Sequence, residues 1–327
     1  MAAAKINTKY LLDLVSRSFA LTIPLLDKNK KNKVEVQYLL ARIIDTIEDS
    51  THNIEDKETL ITGFINILKT ENTDNLENFK KIVIEHTINE NDKVLIENAD
   101  IVLKSFFAFK QDIKNISISY LREMGYGMIY YQDHSISTFE DLDDYCYYVA
   151  GTVGVYLTEL IKISDNLDLD KEKAKSLGRF LQKVNIIKDA KMDYKEKRVF
   201  WPLTLFDNEN PAPYFEDGAY MDKSMEILDK MIKSAMDEFK TSIEYIMTIE
   251  KKAAGYRHFC LVAILMGYET IKLMKNNYNI FMGEPIKIPR KNTLDIVAKV
   301  KADYYTNKKL EDLLDKIFSK EETETAK

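Results

Sequence analysis

Two groups of acidic side chains recur at helical spacing, and both have the chemistry of a divalent-cation site. In Arg42-Ile-Ile-Asp45-Thr-Ile-Glu48-Asp49, the residues Asp45, Glu48 and Asp49 share one helical turn. Like charges at i,i+4 destabilise a helix by about 0.2–0.5 kcal/mol, and partial burial behind an apolar run costs more. One such motif alone is equally an acidic patch at a solvated helix end. Further along, Gln182, Asn185, Asp189 and Asp193 fall at i, i+3, i+7 and i+11. They form a narrow polar stripe beside the apolar stripe of Leu177, Leu181, Val184 and Ile187. Carboxylate oxygens from two facing helices suit Mg2+, a hard ion that keeps some waters and shares itself with substrate phosphates. A di-iron bundle needs Glu-x-x-His pairs. None of the four histidines follows a glutamate by three, which excludes that reading.

Cations and hydroxyls lie close to both stripes. Arg42 is one turn before Asp45, Lys188 adjoins Asp189, and Lys197 and Arg198 follow on the segment leaving the helix. Ser16-Arg17-Ser18 offers two hydroxyls and a guanidinium. Acid for metal, with base and hydroxyl for phosphate, is what a diphosphate leaving group requires. Surface salt bridging is the alternative for each base, and for Lys197 alone it is favoured. The segment Tyr145-Cys-Tyr-Tyr-Val-Ala-Gly-Thr-Val-Gly154 carries glycines that cost a helix interior roughly 1 kcal/mol each. They permit close approach of another helix or of a ligand chain. Ala150, Gly151 and Gly154, flanked by valines, would make a smooth wall for an isoprenoid tail. The tyrosines at its start are either proton carriers or packed with satisfied hydroxyls.

The elements that must position these residues read as helices almost throughout, because apolar residues recur at helical spacing and period-two alternation is scarce. An early helix over Leu11–Phe19 stops near Pro24, and a strongly apolar one follows over Val36–Ile47. Glu71–Glu77 reads as a surface loop. Long helices are expected over Ile101–Gly127, Tyr145–Ile161, Ser176–Tyr194, Met221–Lys251 and Phe259–Lys275. Asn208–Gly218 is a loop. Pro285 and Pro289 bracket a basic connector before a last helix over Thr293–Phe318, and 319–327 is a charged, frayed tail. No linker or 20–50-residue repeat divides the chain, so 1–327 reads as one all-α domain.

The 327 residues are ample for a large core, with 45% hydrophobic and 31% charged residues in an ordinary soluble balance. A net charge of −6 argues against a nucleic-acid partner. The two cysteines, Cys146 and Cys260, have no metal-like spacing and are expected as free thiols. The most apolar stretch, Phe259–Gly267, falls far short of the roughly 20 residues a membrane span needs, and no signal peptide is visible. A cytoplasmic location without a transmembrane segment is expected.

The ordered set Ser16-Arg-Ser-Phe-Ala, Asp45-Thr-Ile-Glu-Asp49, Met124-Gly-Tyr-Gly-Met128, Tyr145-Cys-Tyr-Tyr-Val-Ala-Gly, Leu181-Gln-Lys-Val-Asn-Ile-Ile-Lys-Asp189, Phe200-Trp-Pro202 and Phe281-Met-Gly-Glu-Pro-Ile-Lys287 resembles the squalene synthases, the head-to-head prenyl synthases of the squalene/phytoene synthase family. The likeness runs in register from about Tyr10 to about Val300. It implies a single-domain isoprenoid-synthase-type helical bundle around a central apolar cavity. It further implies Mg2+-dependent joining of two farnesyl diphosphates through presqualene diphosphate to squalene, with NADPH as reductant and two or three Mg2+ ions.

Carried over residue by residue, the resemblance gives metal roles to Asp45, Asp49, Asp189 and Asp193, with Glu48 beside them. Phosphate roles go to Ser16, Arg17, Ser18, Arg42, Lys188 and Arg198, supported by Tyr38, Gln182 and Asn185. Tyr145 stands near the leaving diphosphate, and Lys287, Arg290 and Lys291 resemble the basic segment linked to NADPH. Peripheral contact with a membrane is expected for release of an apolar product. The sequence departs from the family pattern at Met192, where a Glu is usual, and at Tyr130, where an acidic residue is usual. Ala263-Ile264 replaces Pro-Gln, and Pro289 and Asn292 alter the basic connector. These departures bear on metal binding and on reduction. The alternatives are an altered product (dehydrosqualene, presqualene diphosphate, a terpene alcohol or cyclised terpene, or prenylation of another acceptor) and a non-catalytic isoprenoid-binding protein.

Overall fold

A computed structural model describes residues 6–16, 18–216, 220–283, 285–302 and 306–324, with side chains as far as Phe318. Every regular element among them is helical, as the periodicity predicts. The chain divides into two compact units, 1–135 with 147–168, and 136–146 with 169–327.

The first unit runs α1 (Thr8–Val15), α2 (Phe19–Thr22), α3 (Lys28–Glu48), α4 (Ile54–Thr70), α5 (Leu76–His86), α6 (Glu90–Glu97), α7 (Ala99–Phe107) and α8 (Gln111–Asp133). After α9 (Phe139–Cys146), which belongs to the second unit, it resumes with a π-helical turn, Tyr147–Gly151, and α10 (Thr152–Asp165). Helix α3 is its axis, packed by α1, α4, α6, α7 and α8. Val36, Leu39, Leu40, Ile43, Ile44 and Ile47 are all fully buried, each worth about 1.5–3 kcal/mol of burial. Helix α8 meets α4 closely because it carries Gly125: a Cβ there would lie 2.7 Å from Ile61 Cγ2.

The second unit contains α9, α11 (Lys171–Lys195), α12 (Ala212–Phe215), α13 (Met221–Thr248), α14 (Ala254–Met274), α15 (Asn279–Met282), α16 (Arg290–Ala302) and α17 (Asn307–Glu324). Helix α11 is central, packed by α9, α13, α14 and α15. Its N-terminus is capped by the Asp170 carboxylate, which accepts from the Glu172 and Lys173 amides.

Helix α3 starts at Lys28 rather than Val36, α11 at Lys171 rather than Ser176 and α14 at Ala254 rather than Phe259, and the short α12 falls within the stretch from Asn208 expected as a loop. Four expected helices are also broken or extended. The first breaks at Ser16, whose backbone is extended and whose hydroxyl accepts from the Phe19 amide at 3.1 Å. The expected Ile101–Gly127 helix is two, α7 and α8, joined at Ala108–Lys110. No proline or glycine marks this break; the chain turns about buried Phe106, whose ring meets Phe109 edge-on. Tyr145–Ile161 is interrupted by the π turn. The last expected helix is α16 plus α17, which starts at Arg290 and continues to Glu324, past the Phe318 expected. Arg290 and Lys291 therefore open a helix rather than lie in the connector, which is confined to 285–289.

Candidate active site

On α3 and its C-cap, Tyr38, Arg42, Asp45 and Asp49 fall at i, i+4, i+7 and i+11, the same register to its second aspartate as Gln182 to Asp193 on α11. Each stripe lies beside a buried apolar face, so helical geometry presents its polar groups together.

In the first unit, Asp45, Glu48 and Asp49 each offer a carboxylate oxygen within 4.8 Å of the others. Arg42 sits one turn back, ion-paired to Asp45 and held by a bidentate grip on Asp92 of α6, Nε to Oδ1 at 2.9 Å and Nη2 to Oδ2 at 2.7 Å. Burial raises the Asp45 carboxyl to about 6; Arg42 opposes this shift, while Asp49 and Asp92 reinforce it. A cation placed among the three carboxylates would relieve that desolvation. Hard oxygen donors at this spacing fit Mg2+. Ser16 is buried and hydrogen-bonds with the Tyr38 phenol, whose ring also meets Phe19 at 4.9 Å. Burial pushes the Tyr38 hydroxyl above its ordinary value. Arg17 lies outside the described residues.

In the second unit, Gln182, Asp189 and Asp193 are half-buried and Asn185 is exposed. Burial raises Asp193 to about 7, partly offset by Arg198. Asp189 is ion-paired to Lys188. Arg198 donates its amide to the Asp193 carbonyl at 2.9 Å and lies 5.8 Å from the Phe200 ring centre. Tyr145 stacks on the other partner of this group, Phe200, at 4.8 Å. Asp193, Arg198, Phe200 and Trp201 line one small pocket. The stacking places Tyr145 against the segment that follows α11. Met192, in place of the usual acid, is 48% exposed, and a thioether there is a poor ligand for a hard cation.

The chain from 12 to 292 matches the squalene/phytoene synthase family. It belongs to that family. Squalene synthase of Schizosaccharomyces pombe is 31% identical over 303 residues, covering 88% of this chain and 63% of that one. The Homo sapiens squalene synthase is 30% identical over 278 residues, covering 83% and 64%. The chain therefore spans somewhat under two thirds of the length of these curated relatives. Among solved structures, TcSQS with the ligand E5700 superposes with a TM-score of 0.80 at 27% identity, covering 90% of this chain and 84% of that one. A dehydrosqualene synthase in complex with ligand shares the fold, with a TM-score of 0.61 at 19% identity and coverage of 90% and 94%.

Other family motifs take the following places. Gly151 and Gly154 are buried and Ala150 is half-buried, on the π turn and the start of α10. Gly127 lets the Tyr148 ring lie against α8, since a Cβ there would be 2.0 Å from Tyr148 Cγ. Lys287, Arg290 and Lys291 are exposed. No helix of the described residues is long and apolar enough to cross a membrane.

Sequence reasoning missed several polar supports. Asp92 follows the helix cap Asn89, whose side chain accepts from the Asp92 amide at 3.4 Å, so it reads as an ordinary first-turn acid. Lys183, next to Gln182, is 2% exposed with its ammonium 2.5 Å from Asp143 and 2.8 Å from the Ser234 hydroxyl. Only the rarity of a buried lysine, visible after folding, marks it.

Proposed function

We propose that this chain is a prenyltransferase that joins two farnesyl diphosphates head to head, through presqualene diphosphate, to give squalene. The observation that supports it most is the repeated register. Within a family of such synthases, both α3 and α11 keep two aspartates four residues apart, each with a cation bonded to or beside the first. Asp45, Asp49, Asp189 and Asp193, with Glu48, are the proposed Mg2+ ligands. When bound, Mg2+ neutralises the departing diphosphate and so lowers the barrier to allylic ionisation.

The chain's own groups do the rest. Arg42, pre-aimed by Asp92, and Arg198 offer guanidinium forks to phosphate oxygens. Ser16, Ser18 and Lys188 add donors, supported by Tyr38, Gln182 and Asn185, with Arg17 proposed from the motif alone. Tyr145, stacked on Phe200, holds a phenol near the proposed leaving group. Ala150, Gly151 and Gly154 present a smooth apolar surface to the prenyl tail. Reduction to squalene draws a hydride from NADPH when it is bound, and Lys287, Arg290 and Lys291 are the cations proposed for its phosphates. The reading also takes 1–327 as one catalytic domain working in the cytoplasm and releasing its apolar product to a membrane surface.

The exposed Met192 favours a second reading, in which ionisation of presqualene diphosphate is slowed and a different product leaves. The deciding experiment incubates the protein with farnesyl diphosphate and Mg2+, with and without NADPH, and identifies products by mass. Squalene only with NADPH supports the proposal; presqualene diphosphate or dehydrosqualene with NADPH present supports the second reading. Asp45→Asn and Asp189→Asn are each expected to lose turnover by more than a hundredfold, on the order of 3 kcal/mol of barrier, while keeping the helical circular-dichroism spectrum. Near-normal turnover in either would reject the metal assignment.

A further inference from the structure

The last turn of a helix leaves main-chain carbonyls without intrahelical partners, and α3 ends on its acidic motif. There the side chain of Gln132, near the end of α8, does two things at once. Its amide nitrogen donates to the Glu48 carbonyl at 3.0 Å and to Glu48 Oε1 at 2.7 Å. Its amide oxygen accepts from Lys57 Nζ at 3.1 Å, and Lys57 is itself buried on α4. Three helices therefore converge on one carboxylate. The ammonium polarises the amide, which strengthens its N–H bonds to Glu48.

We propose that Gln132 is a positioning residue for the acidic motif, holding Glu48 so that its carboxylate faces the cation bound by Asp45 and Asp49. The proposal rests on the Mg2+ reading of that motif. Three carboxylates whose oxygens lie within 4.8 Å repel one another, and a free glutamate would swing away from the other two. Fixing a glutamate rotamer costs up to about 2 kcal/mol of entropy; Gln132 imposes that order before any cation arrives. A carboxylate has about four lone-pair sites, so a bond to Gln132 leaves Glu48 able to meet a cation or its waters. The family's usual acid after the Met-Gly-x-Gly-Met block is Tyr130 here. Two residues on, the same helix contributes a group that organises an acid of α3 instead.

The test is Gln132→Leu, with Lys57→Met as a second variant that breaks the same relay from its other end. Mn2+ binding to the full-length, metal-free protein is measured by paramagnetic resonance, alone and with inorganic diphosphate, alongside thermal unfolding. Loss of an outer partner typically weakens metal affinity about tenfold or more. We expect about a tenfold rise in the Mn2+ dissociation constant for Gln132→Leu, a smaller rise for Lys57→Met, and no further effect of Gln132→Leu in a Glu48→Ala background. A lower unfolding temperature with Mn2+ affinity within about twofold would make Gln132 a helix cap only and overturn the proposal. Absence of Mn2+ binding to the wild-type protein, even with diphosphate, would remove the Mg2+ reading itself and this proposal with it.

Discussion

Replacing Lys183 by methionine tests how the second unit holds the Tyr145 helix to the aspartate helix. The Lys183 ammonium is shared by Asp143 of α9 at 2.5 Å, the Ser234 hydroxyl at 2.8 Å and Glu238 of α13 at 3.4 Å, while Arg179 approaches Glu238 at 3.1 Å. Two cations thus balance two carboxylates. Lys183 and Glu238 are buried, whereas the Asp143 side chain is 38% exposed. Removing one partner of a buried ion pair typically costs about 3–5 kcal/mol, because the remaining charge is left unpaired. Solvent reaches Asp143 and Arg179 still serves Glu238, so the lower end applies, about 3 kcal/mol. That corresponds to a fall of roughly 6 °C in unfolding temperature. Asp143 lies two residues before Tyr145, so turnover should fall as well once α9 loses this tie. Thermal unfolding by circular dichroism, with a double-mutant cycle against Asp143→Asn, measures both the loss and the coupling. The double variant should recover part of the loss, since it carries one unpaired charge fewer. A Lys183→Met protein within about 1 kcal/mol of wild type, or a cycle showing no coupling, would refute the charge-balance argument.

Gly127→Ala should destabilise by about 1–3 kcal/mol, because its Cβ would stand 2.0 Å from Tyr148 Cγ; a Tyr148→Ala second substitution should recover most of this in urea titrations. The raised carboxyls of Asp45, about 6, and Asp193, about 7, favour the protonated form in the folded, metal-free protein. Their contribution to stability is therefore full below the ordinary carboxylate range and lost as pH rises through 6 to 7. Urea midpoints of the metal-free Asp45→Asn/Asp193→Asn protein should gain on wild type between pH 5 and pH 7.5, and a constant difference would contradict the assigned burial.

Fold class and the two acidic stripes are legible in the sequence because both depend on local periodicity. Apolar residues three and four apart dictate a helix and its buried face, and aspartates four apart on such a helix must share a side. The buried run from Val36 to Ile47 and the C-terminal end of α11 follow from that alone, while the free state of Cys146 and Cys260 follows from their number and spacing. The helix breaks at Ala108–Lys110 and Tyr147–Gly151 do not follow, since no proline or helix cap announces them. A buried aromatic contact in one case, and an inserted residue of helical register in the other, are properties of packing rather than of local preference.

Tertiary structure likewise decided which polar residues support the site. Arg42 looks in sequence like a base waiting for phosphate, yet folding first fixes it on Asp92, fifty residues away. Lys57 and Gln132 reach Glu48 from α4 and α8, and Lys183 finds Asp143 and Glu238 on two other helices. Such pairings have no periodic signature, because they join residues distant in the chain whose side chains meet only after helices pack. What the sequence by itself determined is the helical class, the buried faces and the acidic stripes, all consequences of 3.6 residues per turn. What only the tertiary structure decided is the partner of each buried charge, because an unpaired charge in the interior is too costly to leave to solvent.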